Sequence, residues 1–469
     1  MSGLREPSFF ERYNLCRVRN GYYLNFNITV KYSESQLTPT ILSNALKSLI
    51  RKHPILSCNY FQTNDHNGDE DDYKNYVLRG IDLNYDDLVD QNESGDISGD
   101  YFERLNLIFF QINVNKPLWK LILNGSYLTI VCSHIFFDGN SGCFFHEDLA
   151  NEINNLDSDI TFLQVISLAN DITSVPPAVG TVSQLYSLPV WFTVKTLASH
   201  FFPLLTKLIN SVTTTITTTT TTTANNNTTN TAKLPLFKTN NPIAVNEHTN
   251  ITTLSFNKEQ TQSILKHVKA RGLTFTPWLI AHVFASFSKL HPNVALNVSI
   301  PLNGRRYYPA LDRYQVCVAA SEIALDPPFE NTDNNNNNSN KNNNSSSHEA
   351  DESFKTAHLI SLRLQNDLET RVPFYQVAML KMVSVSNWLK SKIGKHERVF
   401  LEVSNVGMLK GKQGCWFSQD NGFSSQLQFN VVSGDDGMNI TIGYLNGLKN
   451  DMGEFLQSMN AEFEKIIVS

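Results

Sequence analysis

Between Ser211 and Ala232 the chain reads SVTTTITTTTTTTANNNTTNTA. A stretch of this composition has too little apolar surface to offset the entropy of ordering it, so it is expected to be disordered. Whatever folds must fold on either side of it. The 469 residues thereby become two blocks of about 200 residues, each the size of one domain. A second tract, NTDNNNNNSNKNNNSSS from Asn331 to Ser347, has the same character and reads as a swollen surface loop within the second block. The expected division is residues 1–175, a crossover linker over 176–245 that holds the Thr/Asn tract, and residues 246–469.

Apolar residues make up 41% of the chain and include 29 Phe, enough to fill two cores. The net charge of −6 has no basic block behind it, which argues against nucleic acid as a partner, because phosphate binding needs clustered Lys and Arg. Cys16, Cys58, Cys132, Cys143, Cys317 and Cys415 are scattered, with no CxxC pair. Neither a zinc ribbon nor a disulfide framework is indicated. The opening MSGLREPSFFERYN lacks the apolar core of a secretory signal, so a reducing, cytoplasmic setting is expected.

Strands and helices mix along both blocks. Tyr22–Tyr32 alternates apolar and polar residues as a strand does. Thr38–Lys52 opens with Thr-Pro and carries Ile41, Leu42, Ala45, Leu46, Leu49 and Ile50 on one helical face. Pro117–Ser133 reads as a hairpin turning at Asn124-Gly125. In the second block, strands are expected near 252–256, 294–300, 399–404, 426–432 and 438–444, with helices over 259–270, 276–290 and 451–467. Tight strand–helix–strand repeats are few, which suggests layered α/β domains. Val190–Ile209 places Trp191, Val194, Leu197, Ala198, Phe201, Leu205 and Leu208 on one helical stripe. The stripe is expected to pack on the body of the protein, with a helix lying in a membrane interface as the alternative. Two lysines, His200 and Pro203 argue against a spanning helix.

The chemistry is concentrated in SHIFFDGNSG, residues 133–142. His134 ends an apolar strand, and Gly139, Asn140 and Gly142 mark a turn after it. A histidine at a strand end can face a cleft while backbone holds its other nitrogen, which is what a general base needs. Asp138 is spaced so that the turn could fold it beneath the imidazole. A metal site built from His134, Asp138, His146, Glu147 and Asp148 is disfavoured, because residues 146–148 are adjacent and cannot all converge on one ion. Cys132 and Cys143 read as small buried hydrophobes rather than nucleophiles. Gly407–Lys412 fails as a phosphate loop, having three residues between its glycines and Gln413 where Ser or Thr is required.

His134-Ile135-Phe136-Phe137-Asp138-Gly139 resembles the HxxxDG signature of the CoA-dependent acyltransferase superfamily, which includes chloramphenicol acetyltransferase, plant BAHD acyltransferases, wax-ester synthases and peptide-synthetase condensation domains. Further segments agree in the expected order. Leu46–Leu56 (LKSLIRKHPIL) is similar to the early helix with its His-Pro. Pro117-Leu118-Trp119-Lys120 resembles the lead into the catalytic strand, and Pro301–Pro309 (PLNGRRYYP) the Arg-containing stretch. Phe400–Gly407 (FLEVSNVG) resembles the Ser-Asn-x-Gly strand of the fungal alcohol acetyltransferases, while the plant DFGWG motif is missing.

The resemblance implies two chloramphenicol-acetyltransferase-like α/β domains with an active-site tunnel at their interface. It makes acetyl-CoA the co-substrate, with no metal, and His134 the base that takes the acceptor's proton without an acyl-enzyme. Asp138 would point away from the substrate and pair with an arginine, Arg305 or Arg306. Gly139, Ser404 and Asn405 would line the tunnel. The expected activity is O-acetylation of an alcohol, with the rate rising as His134 becomes neutral near pH ~6.5. The alternatives are N-acetylation of a long-chain or amphiphilic amine, sterol O-acetylation, and a degenerate fold that only binds. The chain is expected to act as a monomer, in the cytoplasm or peripherally on the endoplasmic reticulum or lipid droplets.

Overall fold

The computed structural model describes residues 3–63, 73–91, 93, 95–182, 184–201, 234–239, 241–326 and 345–468. The Thr/Asn tract lies outside the described residues, as does residue range 331–344 of the Asn-rich tract. Ser345–Ser347, read from the sequence as the end of that loop, instead open the helix Ser345–Thr370.

Two sheets organise the fold. The first has five strands in the order 413–419, 26–31, 127–132, 119–124, 89–90. The second has six, in the order 318–325, 296–303, 399–408, 425–434, 437–445, 249–257. Gln413–Gln419 belongs to the second half of the sequence yet completes the first sheet, antiparallel to Phe26–Lys31. The two blocks are thus laced together, and the Thr/Asn tract divides the sequence without dividing the sheets. Each sheet carries its own core, one around Phe26, Leu46 and Ile130 and one around Trp278, Val403 and Phe455.

Local chemistry explains the elements nearest the site. Thr38 caps the helix Pro39–Lys52, its hydroxyl accepting from the Ile41 N–H, with Pro39 in the first turn. The Asn124-Gly125 turn closes the hairpin Trp119–Asn124/Tyr127–Cys132, with Gly125 at φ +56°, a conformation that glycine adopts without steric cost. The helix Val190–Phe201 is present; residues 202–209, with Leu205 and Leu208 of the expected stripe, lie outside the described residues. Trp191 and Val194 are exposed, while Phe192 is buried with its ring 5.5 Å from that of Tyr375. No helix among the described residues is long and apolar enough to cross a membrane.

His146 shows how the fold treats a polar group it does not leave open. Its ring is buried, with Nε2 3.0 Å from the Ile28 carbonyl and Nδ1 3.1 Å from the Tyr32 hydroxyl. Burial pushes its pKa down to about 4. The unfolded chain takes up this proton below pH ~6.5, whereas the folded chain waits until about pH 4. Stability should therefore fall by about 2 kcal/mol between pH 7 and pH 5 from this residue alone. Denaturant titrations at the two pH values, on the wild type and His146→Gln, check this. The variant should lose that part of the pH dependence, and an unaltered dependence would count against it.

Candidate active site

The strand Tyr127–Cys132 is buried from Leu128 onward and pinned between Phe26–Lys31 and Trp119–Asn124. Trp119 anchors that hairpin, its indole N–H donating to the Leu56 carbonyl at 2.8 Å, so the PLWK and HPIL segments meet. His134 follows just beyond the strand. Its Nδ1 lies 2.7 Å from the Phe137 carbonyl oxygen. A carbonyl can only accept, so Nδ1 carries the proton and Nε2 keeps its lone pair. The rings of Tyr23 and Phe26 flank the imidazole at 5.1 and 4.9 Å. Burial, and then the positive charge of Arg17, push the imidazole pKa down to about 4.

Asp138 caps the helix Gly139–Asn154. Gly139, Asn140 and Gly142, read from the sequence as a turn, form the start of that helix, and the polar capping residue at its head is what the turn reading passed over. One carboxylate oxygen accepts from the Ser141 N–H at 2.9 Å. The other accepts from Arg305 Nη1 at 2.7 Å and the Cys317 N–H at 2.9 Å. Asp138 makes no hydrogen bond to the imidazole, contrary to what the HxxxD spacing alone suggested. Burial would raise its carboxyl pKa, but Arg305 and the two N–H donors outweigh it and hold the group below its ordinary value. Between the two candidate arginines the geometry is unequal. The Arg305–Asp138 side chains are 10% and 1% exposed, whereas Arg306 is exposed and lies over the Tyr307 ring at 5.4 Å.

Other clusters disperse. Glu147 pairs with Arg313, Asp148 accepts from the Tyr314 hydroxyl at 2.8 Å, and His146 turns inward. Among the described residues no group of three His, Cys, Asp or Glu could hold a metal ion. All six cysteines are free and buried, and burial pushes the Cys132 and Cys143 thiols well up.

His134 opens into a cavity of about 250 Å³ between the two sheets. Phe26, His134 and Gly139 line one side, and Ser299, Leu302, Ser404 and Asn405 the other. Gly139 is required by the close approach of the halves, since a Cβ there would come within 2.7 Å of Val406 Cγ1. Asn405 is tied down, accepting from the Gly407 N–H at 2.9 Å and donating to Thr276 at 3.2 Å. The Ser404 hydroxyl has no partner among the described residues. A larger cleft of about 500 Å³, lined by Arg19, Glu103, His248 and Asp420, does not include His134.

Arg17, Tyr23, Glu402 and Gln419 are among the cavity residues that escaped the sequence reading. Arg17 lies on a helix, Phe9–Arg19, whose apolar pattern is too weak to read. A signal for Glu402 was available, since it is the one charged residue in the strand VFLEVSNVGM.

Comparisons with known proteins bear on the fold and the family. The chain is 22% identical to N-acetyltransferase SLI1 of Saccharomyces cerevisiae over 94% of its own length and 95% of the relative's. Its fold is similar to that of TRI3 trichothecene 15-O-acetyltransferase from Fusarium sporotrichioides, with a TM-score of 0.66 at 13% identity over 99% of this chain and 94% of the other. It is similar as well to the condensation domain of the Monacolin K polyketide synthase MokA, with a TM-score of 0.56 at 10% identity over 100% and 99% of the two chains. The fold is thus that of the two-domain, chloramphenicol-acetyltransferase-like α/β enzymes. The model of the alcohol acetyltransferase family matches residues 8–467, and the chain belongs to that family.

Proposed function

We propose that the chain transfers an acetyl group from acetyl-CoA to the hydroxyl of an alcohol, with His134 as general base. The observation that carries this reading is the fixed tautomer: Nδ1–H is held by the Phe137 carbonyl, leaving Nε2 as a free acceptor in the cavity. The hydroxyl gives its proton to Nε2 as its oxygen attacks the thioester carbonyl. The Ser404 hydroxyl, which lines the same cavity and has no partner among the described residues, would donate to the oxyanion that forms. Collapse breaks the carbon–sulfur bond, and the imidazolium returns its proton to the departing thiolate. Asp138 and Arg305 hold the turn that presents His134 and do not touch the reacting atoms.

A second reading, transfer to an amine nitrogen, is favoured by the similarity to an N-acetyltransferase along nearly the whole chain. Proton chemistry separates the two. The downward shift of His134 to about 4 replaces the acid limb expected from an ordinary histidine, so the base is neutral throughout the physiological range. For a hydroxyl acceptor, kcat/KM should be flat between about pH 7.5 and pH 9. An aliphatic amine, with a pKa near ~10, gains reactive free base throughout that window. The profile is measured on the best acceptor found, with the product identified by mass spectrometry. An ester and a flat profile support the alcohol, while an amide and a continued rise overturn it.

A further inference from the structure

Glu402 is a carboxylate placed where nothing in the fold requires one. It sits on Val399–Met408, facing the cavity that holds His134, with Ser299 beside it on the neighbouring parallel strand. One of its oxygens accepts from Gln419 Nε2 at 3.0 Å. That amide is fixed, because its second N–H goes to Asn430 at 2.8 Å and its oxygen accepts from the Tyr23 hydroxyl at 3.1 Å. The remaining carboxylate oxygen has no hydrogen-bond partner among the described residues, and neither has the Ser299 hydroxyl, on a residue 7% exposed. Both residues line the cavity and Glu402 is only partly buried, so the free carboxylate oxygen and the hydroxyl beside it are open to a hydrogen-bonding group that a ligand brings.

The surroundings define that donor. Phe26, Leu302, Val316 and Phe417 make the neighbouring wall apolar. The other charged and titratable groups lining the same space are His134, Tyr13, Tyr23, Arg17 and Asp138, the last already paired with Arg305. Arg17 stacks on the Tyr23 and Tyr13 rings at 4.4 and 5.1 Å and donates to Ser424 and Asn14. It makes no ion pair with Glu402 among the described residues. Burial outweighs the attraction of Arg17 and pushes the Glu402 carboxyl up to about 7, so a cationic partner would favour its ionised form.

We infer that Glu402 and Ser299 form a subsite for a protonated amine on the acceptor, whose aliphatic part lies against the apolar wall. The inference rests on the transfer reading above and narrows its acceptor to an amphiphile bearing an ammonium group. That group is either a second group on an alcohol, or the nitrogen that is acetylated after its ammonium proton has been lost to solvent, since only the free amine has the lone pair that attacks the thioester.

Hexanol, hexylamine and aminohexanol test it as acceptors for the wild type and Glu402→Gln. The glutamine amide oxygen can still accept from Gln419, so folding is not expected to suffer. The wild type should prefer an amine-bearing acceptor over hexanol in kcat/KM: aminohexanol in either case, and hexylamine as well where the nitrogen is acetylated. The variant should lower that preference by about tenfold or more, as expected for loss of a hydrogen bond to a charged group. An amide from hexylamine identifies the amine nitrogen, once deprotonated, as the acetylated atom, and an ester from aminohexanol identifies the ammonium as a second group. An unchanged preference, or equal losses on all three acceptors, overturns the inference. Calorimetry with hexylamine on His134→Ala reads the subsite without turnover. Binding that weakens about tenfold when Glu402→Gln is added upholds the subsite even if no transfer is seen, and binding indifferent to Glu402 refutes it.

Discussion

Replacing His134 by alanine is expected to lower kcat/KM by about 10²–10⁴-fold, the contribution of a positioned general base, while the protein remains folded. The imidazole is partly exposed and, among the described residues, makes one hydrogen bond, to the Phe137 carbonyl, so little of the fold depends on it. What is lost is an uncharged base with a free lone pair on the cavity, just beyond the strand Tyr127–Cys132. The thiols nearest in sequence, Cys132 and Cys143, are held protonated by burial and cannot take over. Steady-state rates on the best acceptor, with circular dichroism as the check on folding, decide it. A variant that retains more than about a tenth of the activity would remove His134 from the role of base.

Asp138→Asn should act through stability. Its carboxylate and the Arg305 guanidinium are both buried and joined at 2.7 Å, and removing one partner of such a pair leaves the other charge without compensation, at a cost of about 3–5 kcal/mol. The same substitution weakens the cap on Gly139–Asn154, where the Ser141 N–H and hydroxyl both donate to the carboxylate. Arg305→Ala should match it, because this guanidinium also donates to Ser141 and to the carbonyls of Arg313 and Gln315. Arg306→Ala, on an exposed side chain, should fall within about 0.5 kcal/mol of the wild type. Denaturant titrations of the three variants make the comparison. Loss of activity in Asp138→Asn with unchanged stability would assign Asp138 a direct part in the chemistry.

Much of the fold was legible where one local signal acts alone. Thr38-Pro39 marks a helix start, Asn124-Gly125 a hairpin, and the alternating run before Lys31 a strand, each because backbone chemistry at two or three residues decides the outcome. The helix Gly139–Asn154 was hidden by its glycines, which serve close packing here rather than a turn: a Cβ at Gly142 would stand 2.7 Å from Ile28 Cγ1. The placement of Gln413–Gln419 in the first sheet depends on an edge left open about 380 residues earlier, which no window of sequence contains. At the site, the HxxxDG resemblance singled out His134 and Asp138, while spacing alone put Asp138 beneath the imidazole; that Asp138 pairs with Arg305 and not Arg306 was not readable, since adjacent residues differ only in which way the chain turns. Glu402 was overlooked because its meaning lies in what faces it.

Transfer of label from radioactive acetyl-CoA tests the central claim most directly. The purified protein is incubated with labelled acetyl-CoA and the acceptor panel, and label is followed separately in extractable product and in protein. Direct transfer with His134 as base predicts label in an ester or amide, one free CoA released per acetyl transferred, and no label on the protein during turnover. Label that accumulates on the protein before it reaches the acceptor, or acetyl-CoA left intact with every acceptor in the panel, would contradict the account.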